Sequence, residues 1–456
     1  MSTEVVTSSQ QIVMDTTFWA ATLIFFLSYV VIMTEKVHKT VVAIVGAGLV
    51  LILKILDQHE AFHIEELGVD WNVIFLLISM MIIINLMRPT GIFEYIAIKS
   101  AKWGKGDPFR ILAIFAIVTA VLSAFLDNVT TVLLITPVTL LIAEALEVEP
   151  EPYLISCALA SNIGGTATLI GDPPNIMIAS KAQLNFMDFI LHLTPIVIII
   201  MFFYIFAIWL IWGRKLRTRE ELKRRIMEMK EREAIKDPLM LKKSLFVLSL
   251  VLLGFVFHGL LHYPPATIAL FGAGLLLLLS NTHEPHHILA EVEWPTIFFF
   301  IGLFIIVGAV VKVGFIKLMS LKILELTQGD LFLTSMVIMW FSAFASAIVD
   351  NIPYVATMNP LIIDMARELW PNLSGIQLLQ HPQLMPVWWS LALGACLGGN
   401  GSAIGASANV IVVGISEKAG RKITFLRFML YGMPIMIMTV ILSTIYVWLR
   451  YYVFQF

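Results

Sequence analysis

Two fifteen-residue stretches far apart in the chain carry the same polar core in an apolar setting. Residues 123–137 read SAFLDNVTTVLLITP and residues 346–360 read SAIVDNIPYVATMNP, so Asp127-Asn128 falls on Asp350-Asn351 without a gap. Each copy is followed by a Gly-rich apolar segment, SNIGGTATLIGDPPN at 161–175 and GGNGSAIGASAN at 398–409. Gly164, Gly165, Gly171 and Asn175 fall on Gly398, Gly399, Gly405 and Asn409. Paired Gly-broken hydrophobic segments in corresponding halves point to a protein built from repeats, with its site where they meet.

The rest of the composition agrees. Charged residues make up 14% of the chain and hydrophobic ones 59%, with a mean hydropathy of +0.89. Soluble domains are about 25% charged, so this is a polytopic, all-α membrane protein. A net charge of -2 gives no footprint for nucleic acid. Cys157 and Cys396 lie singly in apolar runs, which argues for core packing and against a disulfide or metal site. No GxxxxGK[ST] stretch occurs, so energy must come from an ion gradient or a partner ATPase subunit. No cofactor is expected.

Apolar runs at 17–33, 40–56, 73–87, 189–212, 244–261, 266–279, 296–313 and 428–449 approach the ~20 residues a crossing helix needs. The motif segments lie between them: a re-entrant hairpin at 109–146 and a broken helix at 153–182, then a hairpin at 331–367 and a broken helix at 388–414. Residues 1–213 form the first repeat and 244–456 the second. The linker, 214–243, holds twelve Lys and Arg residues, which places it in the cytoplasm of a plasma (inner) membrane. The loop at 57–70 has no Lys or Arg, so the N-terminus is expected outside; the leader lacks the basic start of a signal peptide. An odd number of crossings per half makes the repeats inverted. An amphipathic stretch at 315–328 precedes the second hairpin, and 370–386 reads as an external loop.

Intramembrane carboxylates are functional by default, and Asp127 and Asp350 are the candidates for binding a cation or a proton. The plainer alternative is that each only caps a half-helix. Asn128, Thr130, Thr131 and Asn351 supply neutral oxygens and amides around them. Because Thr130 and Thr131 fall on Pro353 and Tyr354, Asp127 is the better coupling candidate. Gly164, Gly165, Gly398 and Gly399 allow unwinding, and Asp172-Pro173-Pro174 lets a helix restart with free N–H groups. Asn162, Thr166, Thr168, Asp172, Asn175, Asn400, Ser402 and Asn409 complete the expected solute- and ion-binding set. Packing of small residues alone is the alternative reading of the glycines.

At LDNVTT and GGTATLIGDPPN the chain resembles the ion transporter superfamily, within it the arsenite-permease and P-protein group. The resemblance covers essentially the whole chain. It implies inverted repeats, a homodimer, and a transport domain moving against a scaffold. Sodium-coupled carboxylate carriers of the superfamily have Ser-Asn-Thr where Asp-Asn stands here, a departure that argues against a di- or tricarboxylate. The expected function is export of a small inorganic solute, arsenite or antimonite, in exchange for protons. The alternatives are Na+/H+ antiport and service as the membrane subunit of an ATPase-driven pump.

Overall fold

A computed structural model describes residues 14–34, 36–64, 66–280 and 285–454. The N-terminal residues 1–13, expected on the outer side, are not among them. The first half contains α1 (Thr16–Thr34), α2 (Lys39–Ile52), α3 (Gln58–His63), α4 (Trp71–Met87), α5 (Ile92–Trp103), α6 (Pro108–Phe125), α7 (Asn128–Ala145), α8 (Glu151–Gly165), α9 (Pro173–Ala182), α10 (Phe186–His192) and α11 (Thr194–Trp212). After the linker helix α12 (Glu220–Glu228) come α13 (Pro238–Leu261), α14 (Pro265–Leu279), α15 (His286–Ala290) and α16 (Trp294–Lys312). The chain then continues through α17 (Phe315–Thr327), α18 (Leu331–Ile348), α19 (Asn351–Leu369), α20 (Gly375–Leu379), α21 (Met385–Gly398), α22 (Ser407–Lys418) and α23 (Phe425–Val447). Among the described residues, nine helices are long and apolar enough to cross a membrane, and α2 and α14 are shorter apolar helices.

Both expected hairpins form, and each arm starts on an aspartate. Asp107, Asp127 and Asp330 accept from the backbone N–H three residues ahead at 2.9 Å, and Asp350 accepts from Ile352 N at 3.2 Å. These carboxylates satisfy donors that the first turn of a helix leaves unpaired. The arms α6 and α7 are long enough for crossings in their own right. Both outer ends meet the linker, an arrangement shared by a re-entrant hairpin and by two full crossings. Lys102, just before α6, pairs with Glu231 at 2.8 Å, and Leu146 O, just after α7, accepts from Thr218 at 2.6 Å.

Contacts sort the loops into two groups at opposite ends of α11, α13 and α23. With the linker lie Glu149 and Glu151, which pair with Arg421 and Arg427 at 3.7 and 2.7 Å. At the other end Asp70 meets Ser180 at 2.6 Å, Lys312 meets Glu60 at 2.6 Å, and Lys317 meets Glu368 at 3.3 Å. The second hairpin therefore has its base at the end away from the linker. The packing repeats in kind: α6 lies on α8 as α18 lies on α21, and α2 on α16 as α14 on α4. Likewise α7 lies on α22 as α19 lies on α9. The last two pairings cross between the halves.

Several boundaries differ from the sequence reading. The run at 189–212 is two helices, because the chain turns at Leu193 and α11 starts afresh with Pro195 near its N-terminus. The linker ends at Asp237, not at 243: Asp237 caps α13 through Leu239 N and Met240 N, with Pro238 in the first turn. A second amphipathic helix, α5, was not expected, and it holds in the first half the place that α17 holds in the second. The loop at 370–386 contains the single turn of α20.

Candidate functional site

The two hairpin tips and the two helix breaks meet in one buried polar network. Asn128 and Asn351 are the first residues of α7 and α19, one step past the capping aspartates. Asn128 Nδ2 donates to Asp172 Oδ1 at 3.0 Å, and Asn351 Nδ2 reaches Asp172 Oδ2 at 3.2 Å. Asn128 Nδ2 also donates to Asn162 Oδ1 at 3.2 Å. Asn162 Nδ2 then crosses to the other half, donating to Asn400 Oδ1 and Asn409 Oδ1 at 3.0 Å each. None of these six side chains is more than 2% exposed. Asn128 Oδ1 and Asn400 Nδ2, an acceptor and a donor, are buried without a partner. Such groups are rare in folded proteins because an unmade buried hydrogen bond costs about 1–3 kcal/mol.

Asp172 enters the network because its own helix has no use for it. It precedes α9, where an N-cap side chain ordinarily takes an N–H of the first turn. Here the first two residues are Pro173 and Pro174, which have none, the next N–H, that of Asn175, goes to the Asp172 carbonyl at 2.9 Å, and Asp172 makes no side-chain cap. The carboxylate turns instead to the two hairpin-tip amides. At the matching position of the second half Ala406 leads into α22, so the network holds one central acid rather than two.

Backbone released at each break is held by an asparagine from the restarted helix. Asn175 Nδ2 lies 3.3, 3.2 and 2.9 Å from the carbonyls of Gly165, Thr166 and Thr168. Asn409 Nδ2 lies 2.8 and 2.9 Å from those of Gly399 and Ser402. Thr168 and Ser402 tie the breaks to the hairpins by donating to the carbonyls of Ala124 and Ala347. A Cβ on Gly164 would sit 2.1 Å from Ala120 O, and one on Gly398 would sit 2.6 Å from Ala343 O. These glycines are there for close approach of two backbones.

Beside the network opens a cavity of about 500 Å³, lined by Asp127, Asp350, Glu293, Lys39 and Ser407 among apolar residues of α1, α4 and α22. The two hairpin aspartates thus face one space. Asp127 takes only local donors, Thr130 N at 2.9 Å and Thr130 Oγ1 at 2.5 Å. Asp350 is paired with Lys39 Nζ at 2.5 Å and also accepts from Ser407 Oγ at 2.7 Å.

The eighteen residues expected to bind solute or ions therefore divide by role. Asn128, Asn162, Asp172, Asn351, Asn400 and Asn409 form the network, and Asp127 and Asp350 line the cavity. Asn175, Thr168 and Ser402 hold backbone, and the four glycines permit packing. Thr130 clips Asp127, Thr166 donates to Asn162 O within its helix at 2.8 Å, and Thr131 Oγ1 is buried without a partner. Two contributors escaped the sequence reading. Lys39 looked like one more basic loop residue. Cys396 looked like core filler, yet its thiol donates to Asn175 Oδ1 at 3.4 Å. The signal for Cys396 was the repeat itself, since it occupies the position that Asn162 holds in the first half.

Comparison with known proteins gives this arrangement a family. The sequence profile of the citrate transporter family matches residues 29–394. An uncharacterized transporter of Mycobacterium bovis is 45% identical over 433 residues, covering 95% of this chain and 98% of its own. A 46 kDa membrane protein of Mycobacterium leprae is 44% identical over 94% of this chain and 98% of its own. The human P protein is 32% identical over 93% of this chain, which spans only 59% of the longer relative. The helices, the profile and these relatives agree: the chain is a multi-pass membrane transporter and belongs to the citrate transporter family, in the superfamily of the arsenite permeases and P proteins.

Proposed function

We propose that this transporter exports a small uncharged inorganic hydroxide, arsenite or antimonite, in exchange for protons. The observation that carries the reading is the network of five asparagines and Asp172, with one acceptor and one donor left unpaired. A neutral triol needs hydrogen-bond partners of both kinds and no counter-charge. Citrate, which the family's name mentions, is a poor fit. The carboxylates of Asp127, Asp172, Asp350 and Glu293 face the network and cavity against one ammonium, Lys39, which Asp350 already pairs. The halves act as inverted repeats in the plasma (inner) membrane, with the linker in the cytoplasm and the cavity opening towards it. Asp127, free of a cation, carries the proton.

The acidic cavity wall also supports a second reading, Na+/H+ antiport through the same aspartates. Inside-out vesicles separate the two. Arsenite or antimonite, not Na+, is expected to dissipate an imposed pH gradient. Asp127→Asn, inserted to the wild-type level, is expected to lose that response. Dissipation by Na+ and not by arsenite or antimonite would end the first reading in favour of the second.

A further inference from the structure

The ion pair at the second hairpin tip joins two parts of the molecule that otherwise meet across the cavity. Lys39 begins α2, which packs on α1 and α16. Its ammonium reaches Asp350 at the tip and Ser407 Oγ at the start of α22, at 2.5 and 2.7 Å, and lies 4.9 Å from the centre of the Phe299 ring. Asp350 Oδ1 takes Ile352 N, and Ser407 also donates to Oδ2. A carboxylate, a hydroxyl and an aromatic face around one positive charge form a cation site. The occupant happens to be covalently part of the protein.

The first half lacks this arrangement. Asp127 matches Asp350, but Pro173 stands where Ser407 does, and among the described residues no Lys or Arg pairs with Asp127. Two carboxylates related by the repeat are thus treated differently: Asp127 lines the cavity without a cationic partner, and Asp350 is paired with Lys39.

We propose that Lys39 is a tethered substitute for a coupling cation at Asp350. It reduces the free cation sites from two to one and leaves Asp127 as the one that exchanges. The proposal rests on the reading of both aspartates as ion carriers, and goes beyond it by assigning Lys39 the control of ion stoichiometry. A lysine does this without closing the site permanently, because its long stem lets the charge withdraw when α2 and the hairpin separate.

The test is equilibrium binding of radiolabelled Na+ to the purified full chain at constant ionic strength, made up with choline chloride. Lys39→Ala is expected to bind one more Na+ per chain than wild type. The gain should vanish in Lys39→Ala/Asp350→Asn, and Lys39→Arg should match wild type because the guanidinium keeps the site filled. Should Lys39→Ala yield no folded protein, Lys39→Gln, which retains a donor for Ser407 and removes the charge, makes the same comparison. Equal Na+ binding by wild type and the folded neutral variant overturns the proposal. So does a gain that survives Asp350→Asn. The readout needs no transport. Arsenite flux with no Na+ gain sinks this inference alone, whereas a Na+ gain in a protein that moves no arsenite sinks only the proposed solute.

Discussion

Gly164 and Gly398 are where each broken helix touches the backbone of its hairpin, so their replacement by alanine is the most direct test of how the breaks are held. In Gly164→Ala the new methyl would lie 2.1 Å from Ala120 O and 2.4 Å from Ala120 Cα. Both are backbone atoms of a neighbouring helix and cannot rotate away. Restoring an ordinary 3.4 Å contact requires α8 and α6 to part by about 1.3 Å, the difference from the closest approach. At Gly398→Ala the closest approach is 2.6 Å, to Ala343 Cα and O, and the parting is about 0.8 Å. A radial gap of ~0.5–1 Å forfeits a quarter to a half of each dispersion well along the seam. Overpacking of this kind costs about 1–3 kcal/mol, against ~0.5–1 kcal/mol recovered by removing a glycine from a helix. The net expectation is a loss of about 1–2 kcal/mol for Gly398→Ala and more for Gly164→Ala. Gly48→Ala and Gly414→Ala are the controls, because nothing lies within 4 Å of either new methyl. Thermal unfolding of the purified protein in detergent should rank Gly164→Ala lowest, then Gly398→Ala, with both controls at or above wild type. If all four unfold together, the backbone contacts described between hairpin and broken helix are wrong.

Two further outcomes are expected. Asn162→Ala removes the amide shared by Asn400 Oδ1 and Asn409 Oδ1, and should lower the unfolding temperature by the equivalent of about 1–3 kcal/mol for each buried oxygen left unpaired; an unchanged unfolding temperature would contradict the network. Cys157 and Cys396 are both fully buried, so a maleimide should label neither in the folded protein and both after denaturation, with mass spectrometry reporting the sites. Labelling of Cys396 in the native state would mean that the network is open to solvent.

The repeat was legible because both halves keep the residues their backbone geometry demands. Asp at the hairpin tip, glycines where two backbones touch, and Asn175 or Asn409 to hold loose carbonyls are all local requirements, and each leaves its mark twice. The crossing helices were legible from apolar run length, except where a cap or a proline divides a run: the turn at Leu193 and the early start of α13 at Pro238 follow from such signals. The amphipathic α5 was harder to see, since only its counterpart α17 stood apart from the neighbouring spans. Lys39 could not be found from its surroundings in sequence. Its partners lie 311 and 368 residues away, and nothing near His38-Lys39 distinguishes an ion-pairing lysine from a basic residue at the end of a span.

The departures from the repeat say more about the work of the site than the matches do. Residues that hold backbone together are duplicated, as Asn175 with Asn409 and Thr168 with Ser402. At the junction the tip amides Asn128 and Asn351 are matched but their surroundings are not: Asp172 is matched by Ala406, Asn162 by Cys396, and Asp127, which has no ion pair among the described residues, by an Asp350 paired with Lys39. Two identical halves meeting at a two-fold would present a symmetric site with two equivalent acids at its centre and two at its wall. This chain repeats the packing and makes the chemistry one-sided: a single central carboxylate, crossed by Asn162 from one half, and at the wall an Asp127 without an ion pair facing the same space as an Asp350 that has one. On the function proposed above, a solute held between such halves would have one orientation, with Asp127 rather than Asp350 left to exchange an ion against it.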